Sequence, residues 1–116
     1  MTISTRDLQP FDVLIANVSF EDRPNISKPR PVIVLNIHDS IATIVAVKVT
    51  SHAPRDWMPG EVRLLDWRES GLAKPSVARC SKVLEIQEAD VKYVIGHLTT
   101  RDRSAVTAGL RDVGGF

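Results

Sequence analysis

Residues 27–35 read S-K-P-R-P-V-I-V-L, and the apolar half of this stretch predicts a core β-strand. Its residues 32–35 form a short run rich in β-branched side chains, as a buried strand requires. Pro29 and Pro31 flank Arg30, and because proline favours extended geometry in the residue before it, they hold Arg30 on a stiff segment. A guanidinium fixed in this way suits a phosphate or carboxylate ligand. Taken alone, the stretch also fits an ordinary surface arginine in front of a strand.

Other runs with strand patterns lie on both sides of this stretch. In the first of them Phe11, Val13 and Ile15 share one face, which is the alternation expected of a β-strand. The predicted strands cover residues 11–18, 31–37, 41–50, 61–67 and 76–86. Polar loops are expected at 19–28 and 51–60, a compact turn at 38–40, and a break at Ser70-Gly71.

The apolar spacing changes after Gln87. Val91, Val94, Ile95 and Leu98 follow the i, i+3, i+4, i+7 pattern of a helix face, although residues 92–95 also fit an extended strand.

A final helix is predicted after Thr99 or Thr100, either of which can cap it, with Asp102 in its first turn. Its apolar side consists of Val106, Gly109, Leu110 and Val113, and Gly114-Gly115 ends it. The chain is therefore predicted to be mainly β (α+β), a small β-barrel or curled sheet with C-terminal helical elements.

Length and composition indicate one globular domain over residues 1–116, with a polar N-terminal arm over 1–9. The net charge of +1 argues against a polybasic binder but allows a local basic site, particularly at a dimer interface. No segment approaches 18 consecutive apolar residues and no signal peptide is recognisable, so we expect no membrane association. A single cysteine, Cys80, fits a reducing cytoplasm.

Neither a metal nor a nucleotide cofactor is predicted. His38, His52 and His97 lie in three different predicted elements and lack the spacing of a metal site. The chain has no G-x-G-x-x-G or Walker pattern. Cys80 falls on the predicted core face of its strand, which favours a small buried hydrophobe over a nucleophile.

Polar residues at predicted strand ends are the remaining candidates for chemistry. They are Arg30, Thr50, Ser51, His52, Arg79 and Ser81. Arginines and hydroxyls together can bind phosphates through charge-assisted hydrogen bonds and can stabilise a phosphoryl transition state. The alternative is that these are solvated residues at strand ends.

Five segments, taken in order, resemble the PemK/MazF family of bacterial toxins. They are F-D-V-L-I-A-N-V-S-F-E-D, S-K-P-R-P-V-I-V-L, A-V-K-V-T-S, G-L-A-K-P-S-V-A-R-C-S-K and V-I-G-H-L-T-T-R-D. The match runs from about residue 11 to residue 110. It implies an SH3-like barrel that forms homodimers and acts as a metal-independent endoribonuclease on single-stranded RNA. It also implies a cognate antitoxin protein that blocks the site.

The resemblance assigns roles to individual residues. Arg30 matches the family's catalytic arginine, Thr50 its active-site threonine, and Arg79 an arginine implicated in cleavage in Kid-type toxins. The RNA-binding residues predicted beside these three are Lys28, Ser51, His52 and Ser81.

Position 81 departs from the Kid-type pattern V-V-R-C-D, because Ser81 stands where that pattern has aspartate. Family members cut RNA by attack of its own 2′-OH, which needs a base, and serine is not one. His52 is a candidate base because the ordinary pKa of histidine is about 6.5, although an ordinary loop histidine is the alternative. Glu21 and Asp22 are further candidates.

The related CcdB toxins share the fold and bind DNA gyrase, so a non-catalytic binding module is the second hypothesis.

Overall fold

The structure, a computed structural model, describes residues 7–19, 22–23, 25–38, 43–55 and 57–114. Its strands are β1 (Asp12–Ser19), β2 (Ser27–His38), β3 (Thr43–Thr50), β4 (Glu61–Leu64), β5 (Ser76–Gln87) and β6 (Val91–His97). A short 3₁₀ turn (Glu88–Asp90) joins β5 to β6, and one helix, α1 (Thr100–Asp112), follows. The strands form one antiparallel sheet in the order β4-β5-β3-β2-β1-β6.

The mainly β prediction with a C-terminal helix is confirmed, and β2 is longer than predicted. It begins at Ser27, which pairs with Ser19 of β1, so Arg30 lies inside a strand and opposite Ala16. Pairing of β2 with β3 begins only at Val32. Residues 27–31 therefore have β1 as their sole strand neighbour among the described pairings, and an unpaired strand edge tolerates Pro29 and Pro31.

One strand ends earlier than predicted, and parts of three other predicted segments lie outside the described residues. The fourth strand, predicted over residues 61–67, ends at Leu64 because the N–H groups of Leu65 and Asp66 donate to the carboxylate of Asp102 instead of a neighbouring strand. The first residues of the predicted third strand and most of the turn at 38–40 lie outside the described residues, as do residues 1–6 of the predicted arm.

The preference for a helix face at Val91, Val94, Ile95 and Leu98 was wrong, and the extended alternative holds. Residues 91–97 form β6, which pairs with β1 through two register shifts. Each shift changes which residue faces the core, so the strict alternation that would have marked a strand is absent from the sequence.

Apolar side chains are buried in two clusters. The larger cluster joins the sheet to α1 and the turn after β4, and it contains Val13, Ile33, Val47, Val49, Leu64, Leu72, Ala78, Cys80, Leu98, Val106 and Leu110. The other contains Leu8, Leu14, Ala16, Val18, Val32, Val34, Ile44, Ala46 and Ile86. Neighbouring residues of β1, β2 and β3 alternate between the clusters, so these strands are buried on both sides.

The sheet curls into a barrel that the turn at residues 65–71 closes. Gly71 and Ser70 pack directly on the backbone of β6, at Ile95 and Gly96. Asp102 of α1 is fully buried and holds the same turn through its two backbone hydrogen bonds. The two edges of the sheet are thereby brought together.

The final helix begins and ends as predicted. The Thr99 side chain accepts a hydrogen bond from the N–H of Asp102 at 3.4 Å, as an N-cap does. Val106, Gly109 and Leu110 are buried and Val113 packs against them. Gly114 follows with a φ of +74°, the left-handed geometry of a helix end. Within the described ranges, no helix has the length and apolar character that crossing a membrane demands.

Candidate functional site

A cavity of about 600 Å³ opens where several strands of the barrel end. Four of the predicted site residues line it: Arg30, Thr50, Ser51 and Arg79. Arg30 comes from β2, Thr50 is the last residue of β3 and Ser51 follows it, and Arg79 comes from β5. The remaining lining residues are Ile15, Val18, Ser19, Pro31, Lys48, Val49, Gly71, Leu72, Ala73, Lys74, Ser76, Tyr93 and Ile95.

Strand register explains why Arg30 and Thr50 meet. Val32 of β2 pairs with Lys48 of β3 in antiparallel order. Arg30 precedes Val32 by two residues, and Thr50 follows Lys48 by two. Because the strands are antiparallel, both residues lie at the same end of this strand pair. Arg30 is exposed and Thr50 is half-buried, which leaves the guanidinium and the hydroxyl accessible from the cavity.

Arg79 reaches the same cavity from the other side of β3. It pairs with Lys48 of β3 and with Glu61 of β4. Its side chain is 21% exposed, so most of it is fixed in the wall of the cavity.

The described lining is cationic. Its charged side chains are Arg30, Lys48, Lys74 and Arg79, and its hydroxyls include Thr50 and Ser51. Across the part of the chain that the structure describes, neither a carboxylate nor a histidine lines this cavity. Such a lining can bind an anion and can stabilise additional negative charge on it.

Lys28, His52 and Ser81, which were also predicted to bind RNA, are not among the described lining residues. Lys28 is exposed on β2, two residues before Arg30. Ser81 is exposed on β5, where the register with β3 jumps from Val83 to Arg79. Ser81 therefore lies in an irregular part of the strand that has no β3 partner.

His52 does not line the cavity and lies next to Glu61. Its Nδ1 lies 2.7 Å from the carbonyl oxygen of Ala53, and because a carbonyl only accepts, Nδ1 is the nitrogen that donates. Nε2 lies 3.9 Å from Oε2 of Glu61 and is buried without a hydrogen-bond partner. Of the other two candidate bases, Asp22 is exposed next to Arg23, and Glu21 lies outside the described residues.

Glu61 is a carboxylate that the sequence did not single out. Its side chain is 1% exposed, and it accepts hydrogen bonds from the backbone N–H of Arg55 at 2.9 Å and from Nη2 of Arg55 at 2.6 Å. Nε of Arg79 lies 3.6 Å from Oε2 of Glu61. These bonds to Arg55, above all, hold the pKa of Glu61 below its ordinary value, so it is a carboxylate at neutral pH.

Lys48, Tyr93 and Glu61 lie at or next to the cavity and were not predicted as site residues. Lys48 lies on the same face of its strand as Thr50, and that spacing was visible. Tyr93 was not recognised because the apolar spacing of residues 91–98 favoured a helix, which would not place it beside the strands of the site. The contact of Glu61 with Arg79 depends on the β4–β5 register, which no local pattern shows.

Cys80 is fully buried, and burial raises the pKa of its thiol to about 11. This agrees with a small core residue and not with a nucleophile. Among the described residues no group of three or more His, Cys, Asp or Glu side chains is placed to hold a metal ion.

Comparisons with known proteins agree with this architecture. The family model described as PemK-like, MazF-like toxin of type II toxin-antitoxin system matches residues 9–114. No curated protein was found to match the sequence.

Solved structures similar to the chain include the Mycobacterium tuberculosis toxin MazF-mt6, at 24% identity and a TM-score of 0.64 over 85% of this chain and 91% of that one. The MazE-MazF structure from Deinococcus radiodurans has 15% identity and a TM-score of 0.71, over 94% and 97% of the two chains. A mycobacterial endoribonuclease in complex with its cognate antitoxin has 12% identity and a TM-score of 0.67, over 92% and 95%.

Proposed function

The chain belongs to the PemK-like, MazF-like toxins of type II toxin–antitoxin systems, and we propose that it is an endoribonuclease that cuts single-stranded RNA without a metal ion. Arg30, Thr50 and Arg79 are the proposed catalytic residues. Ser51 and Lys74 contact the RNA beside them in this proposal.

One observation supports it most strongly: the cavity is lined by Arg30 from β2, Thr50 and Ser51 at the end of β3, and Arg79 from β5. The described residues that line the cavity include four cationic side chains and no carboxylate, which suits the phosphate backbone of a nucleic acid. The cavity also has an apolar wall, which includes Ile15, Leu72 and Ile95. An unstacked base can pack against such a wall, as single-stranded RNA allows and a duplex does not.

The proposed reaction uses a hydroxyl of the substrate itself. The ribose 2′-OH attacks the adjacent phosphorus, its proton is removed, and the bond from phosphorus to the 5′ oxygen breaks as that oxygen gains a proton. The products are a 2′,3′-cyclic phosphate and a 5′-hydroxyl. Arg30 and Arg79 donate hydrogen bonds to the phosphoryl oxygens as negative charge develops on them. The Thr50 hydroxyl orients the phosphate in the cavity.

Arginine serves this purpose better than it serves as a base. A guanidinium stays protonated at any pH at which the protein is folded, so it keeps its charge throughout the reaction. Ser81 is not ionised at neutral pH and takes no part in proton transfer in this proposal.

We further propose that the chain acts as a cytoplasmic homodimer and that a cognate antitoxin occupies the cationic cavity. An acidic, partly disordered antitoxin segment fits a site whose described charged lining residues are all cations. The solved MazE-MazF and endoribonuclease–antitoxin structures support a partner of this kind.

The test is incubation of the purified protein with a long single-stranded RNA in EDTA, followed by mapping of the cut ends. The expected result is cleavage at discrete sites that leaves 2′,3′-cyclic phosphates. Arg30→Ala should lose at least about 100-fold of this activity. Arg111→Ala is the matched control, because Arg111 is exposed on α1 and does not line the cavity.

Two results would overturn the proposal. Full activity of Arg30→Ala would remove the central residue of the mechanism. Absence of cleavage by the well-folded wild-type protein would favour the non-catalytic alternative, and binding to DNA gyrase would then be measured.

A further inference from the structure

Glu61 is a buried carboxylate that lies within 4 Å of the side chains of Arg55, Arg79 and His52. Besides its two shortest bonds to Arg55, it accepts from Nε of that residue at 3.2 Å. The Arg55 guanidinium stacks on the ring of Trp57, with its centre 4.8 Å from the ring centroid. The Arg55 guanidinium therefore contacts both the Glu61 carboxylate and the Trp57 ring.

The opposite side of the carboxylate faces Arg79. Nε of Arg79 is buried and has no hydrogen-bond partner, and Glu61 lies 3.6 Å from it. The Arg79 side chain also lines the cavity. The guanidinium therefore lies between two environments, because Nε is 3.6 Å from a buried carboxylate and the same side chain lines the cavity.

We propose that Glu61 is a positioning residue that holds the Arg79 guanidinium in place for phosphate binding. The inference rests on the proposed ribonuclease function and adds a residue to it. Glu61 is not a lining residue of the cavity, so it acts through Arg79 and not on the substrate.

The physical reason is preorganisation. An arginine side chain has several rotatable bonds, and fixing it before the reaction removes an entropic cost from the transition state. A charged partner on Nε leaves the two terminal nitrogens for the phosphate, because the guanidinium has five N–H donors in a planar fork. The contact is an ion pair at 3.6 Å and not a hydrogen bond in this structure, and hydrogen bonds used in catalysis are often long in a free enzyme and shorten when the substrate binds.

The charge of Glu61 makes a specific kinetic prediction. Glu61→Gln keeps the size of the side chain but removes one negative charge next to the cavity, so RNA attraction should persist or increase. Arg79 should lose its fixed position. We therefore expect kcat to fall roughly 10- to 100-fold, whereas KM should stay unchanged or decrease. Loss of folded protein also lowers the apparent kcat without changing KM, so the folded fraction of each variant is measured by circular dichroism and kcat is expressed per folded molecule.

The experiment compares kcat and KM for the wild type, Glu61→Gln, Glu61→Asp and Arg79→Ala, together with the double variant Glu61→Gln/Arg79→Ala. Glu69→Gln is the matched control, because Glu69 is exposed on the closing turn and its change removes the same negative charge. Glu61→Asp keeps the charge on a shorter side chain and should recover part of kcat. In the Arg79→Ala background, Glu61→Gln should lower kcat no further. If Glu61→Gln does not fold, Glu61→Asp takes its place in this cycle.

A second measurement does not depend on cleavage. The NMR signal of the Arg79 Nε–H group should exchange slowly with water in the wild type and rapidly in Glu61→Gln. Equal exchange, additive effects of the two substitutions on kcat, or a kcat of Glu61→Gln equal to that of the wild type would overturn the inference. Absence of cleavage by the wild type would instead overturn the proposed function, while the exchange measurement would still decide the role of Glu61.

Discussion

Gly71 lies so close to Ile95 that a Cβ atom at position 71 would overlap the carbonyl oxygen of Ile95. The φ of Gly71 is +89°, a geometry that side chains rarely adopt. Both residues line the cavity that contains Arg30. The close approach of the turn to β6 therefore closes the barrel and also forms one wall of the candidate site.

Gly71→Ala should consequently destabilise the protein by more than about 2 kcal/mol. The added methyl group meets rigid backbone atoms of β6, and the left-handed geometry adds its own cost. The free energy of unfolding measured in urea gives the comparison. Gly114→Ala is the control, since Gly114 also has a positive φ but has open space where a Cβ atom would lie. It should lose only about 1 kcal/mol, and equal losses would mean that the contact with β6 does not matter.

The buried Asp102 should be among the more sensitive polar residues. Its carboxylate accepts from the N–H groups of Leu65 at 3.0 Å and Asp66 at 2.8 Å. Asp102→Ala leaves these two donors without their acceptor, which should cost about 2 to 4 kcal/mol of unfolding free energy. Asp112→Ala, an exposed change on the same helix, should cost less than about 0.5 kcal/mol. Thermal or urea unfolding of the two variants checks this, and similar losses would contradict it.

The sequence predicted those parts of the fold whose signals are local. The apolar runs of β1, β2, β3 and β5, and the cap of α1 at Thr99, needed no knowledge of distant residues. For β6 the sequence favoured a helix and kept the strand only as the alternative, because the place of β6 is set by pairing with β1 through register shifts that disturb its alternation. The apolar spacing of residues 91–98 contains no information about that pairing, and here it matched the pattern of a helix face.

The candidate site divides in the same way. Arg30 and Thr50 were identified by their motifs and by the resemblance, and the β2–β3 register explains why they meet. Glu61 had no such signal, since an acidic residue after a polar loop is common. Only the alignment of β4 with β5 brings it to Arg79.

Lys74 should contribute to RNA affinity rather than to chemistry. It is exposed and lines the cavity on the segment that follows the closing turn. Lys74→Ala should weaken RNA binding and reduce the slope of log Kd against log salt by about 0.7, the value expected for one lost contact to a single-stranded phosphate. Titrations with a non-cleavable 2′-deoxy oligonucleotide at several salt concentrations measure this. Lys92→Ala, an exposed change on β6 away from the cavity, should leave the slope unaltered, and an equal effect of both variants would argue against a local site.

Cys80 should resist thiol reagents in the folded protein. Its sulfur is buried, and a pKa of about 11 leaves only about 0.1% thiolate near pH 8. Ellman's reagent should therefore react with the native chain far more slowly than with the same chain in concentrated urea. Rapid stoichiometric labelling without denaturant would mean that the region around Gly60 and Gly109, which pack on Cys80, opens readily.

Acid should weaken the closure of the barrel through Asp66. Arg101 at 2.5 Å and Thr99 at 2.5 Å donate to this carboxylate, and these bonds lower its pKa from the ordinary 3.8. A lowered pKa in the folded state gives stability that is present above the unfolded pKa and is lost as pH falls through the folded one. The difference in unfolding free energy between the wild type and Asp66→Asn should thus be full near neutral pH and shrink below about pH 4. Asp112→Asn corrects for the change in net charge. A difference that stays constant on acidification would show that the carboxylate charge of Asp66 does not hold the turn to α1.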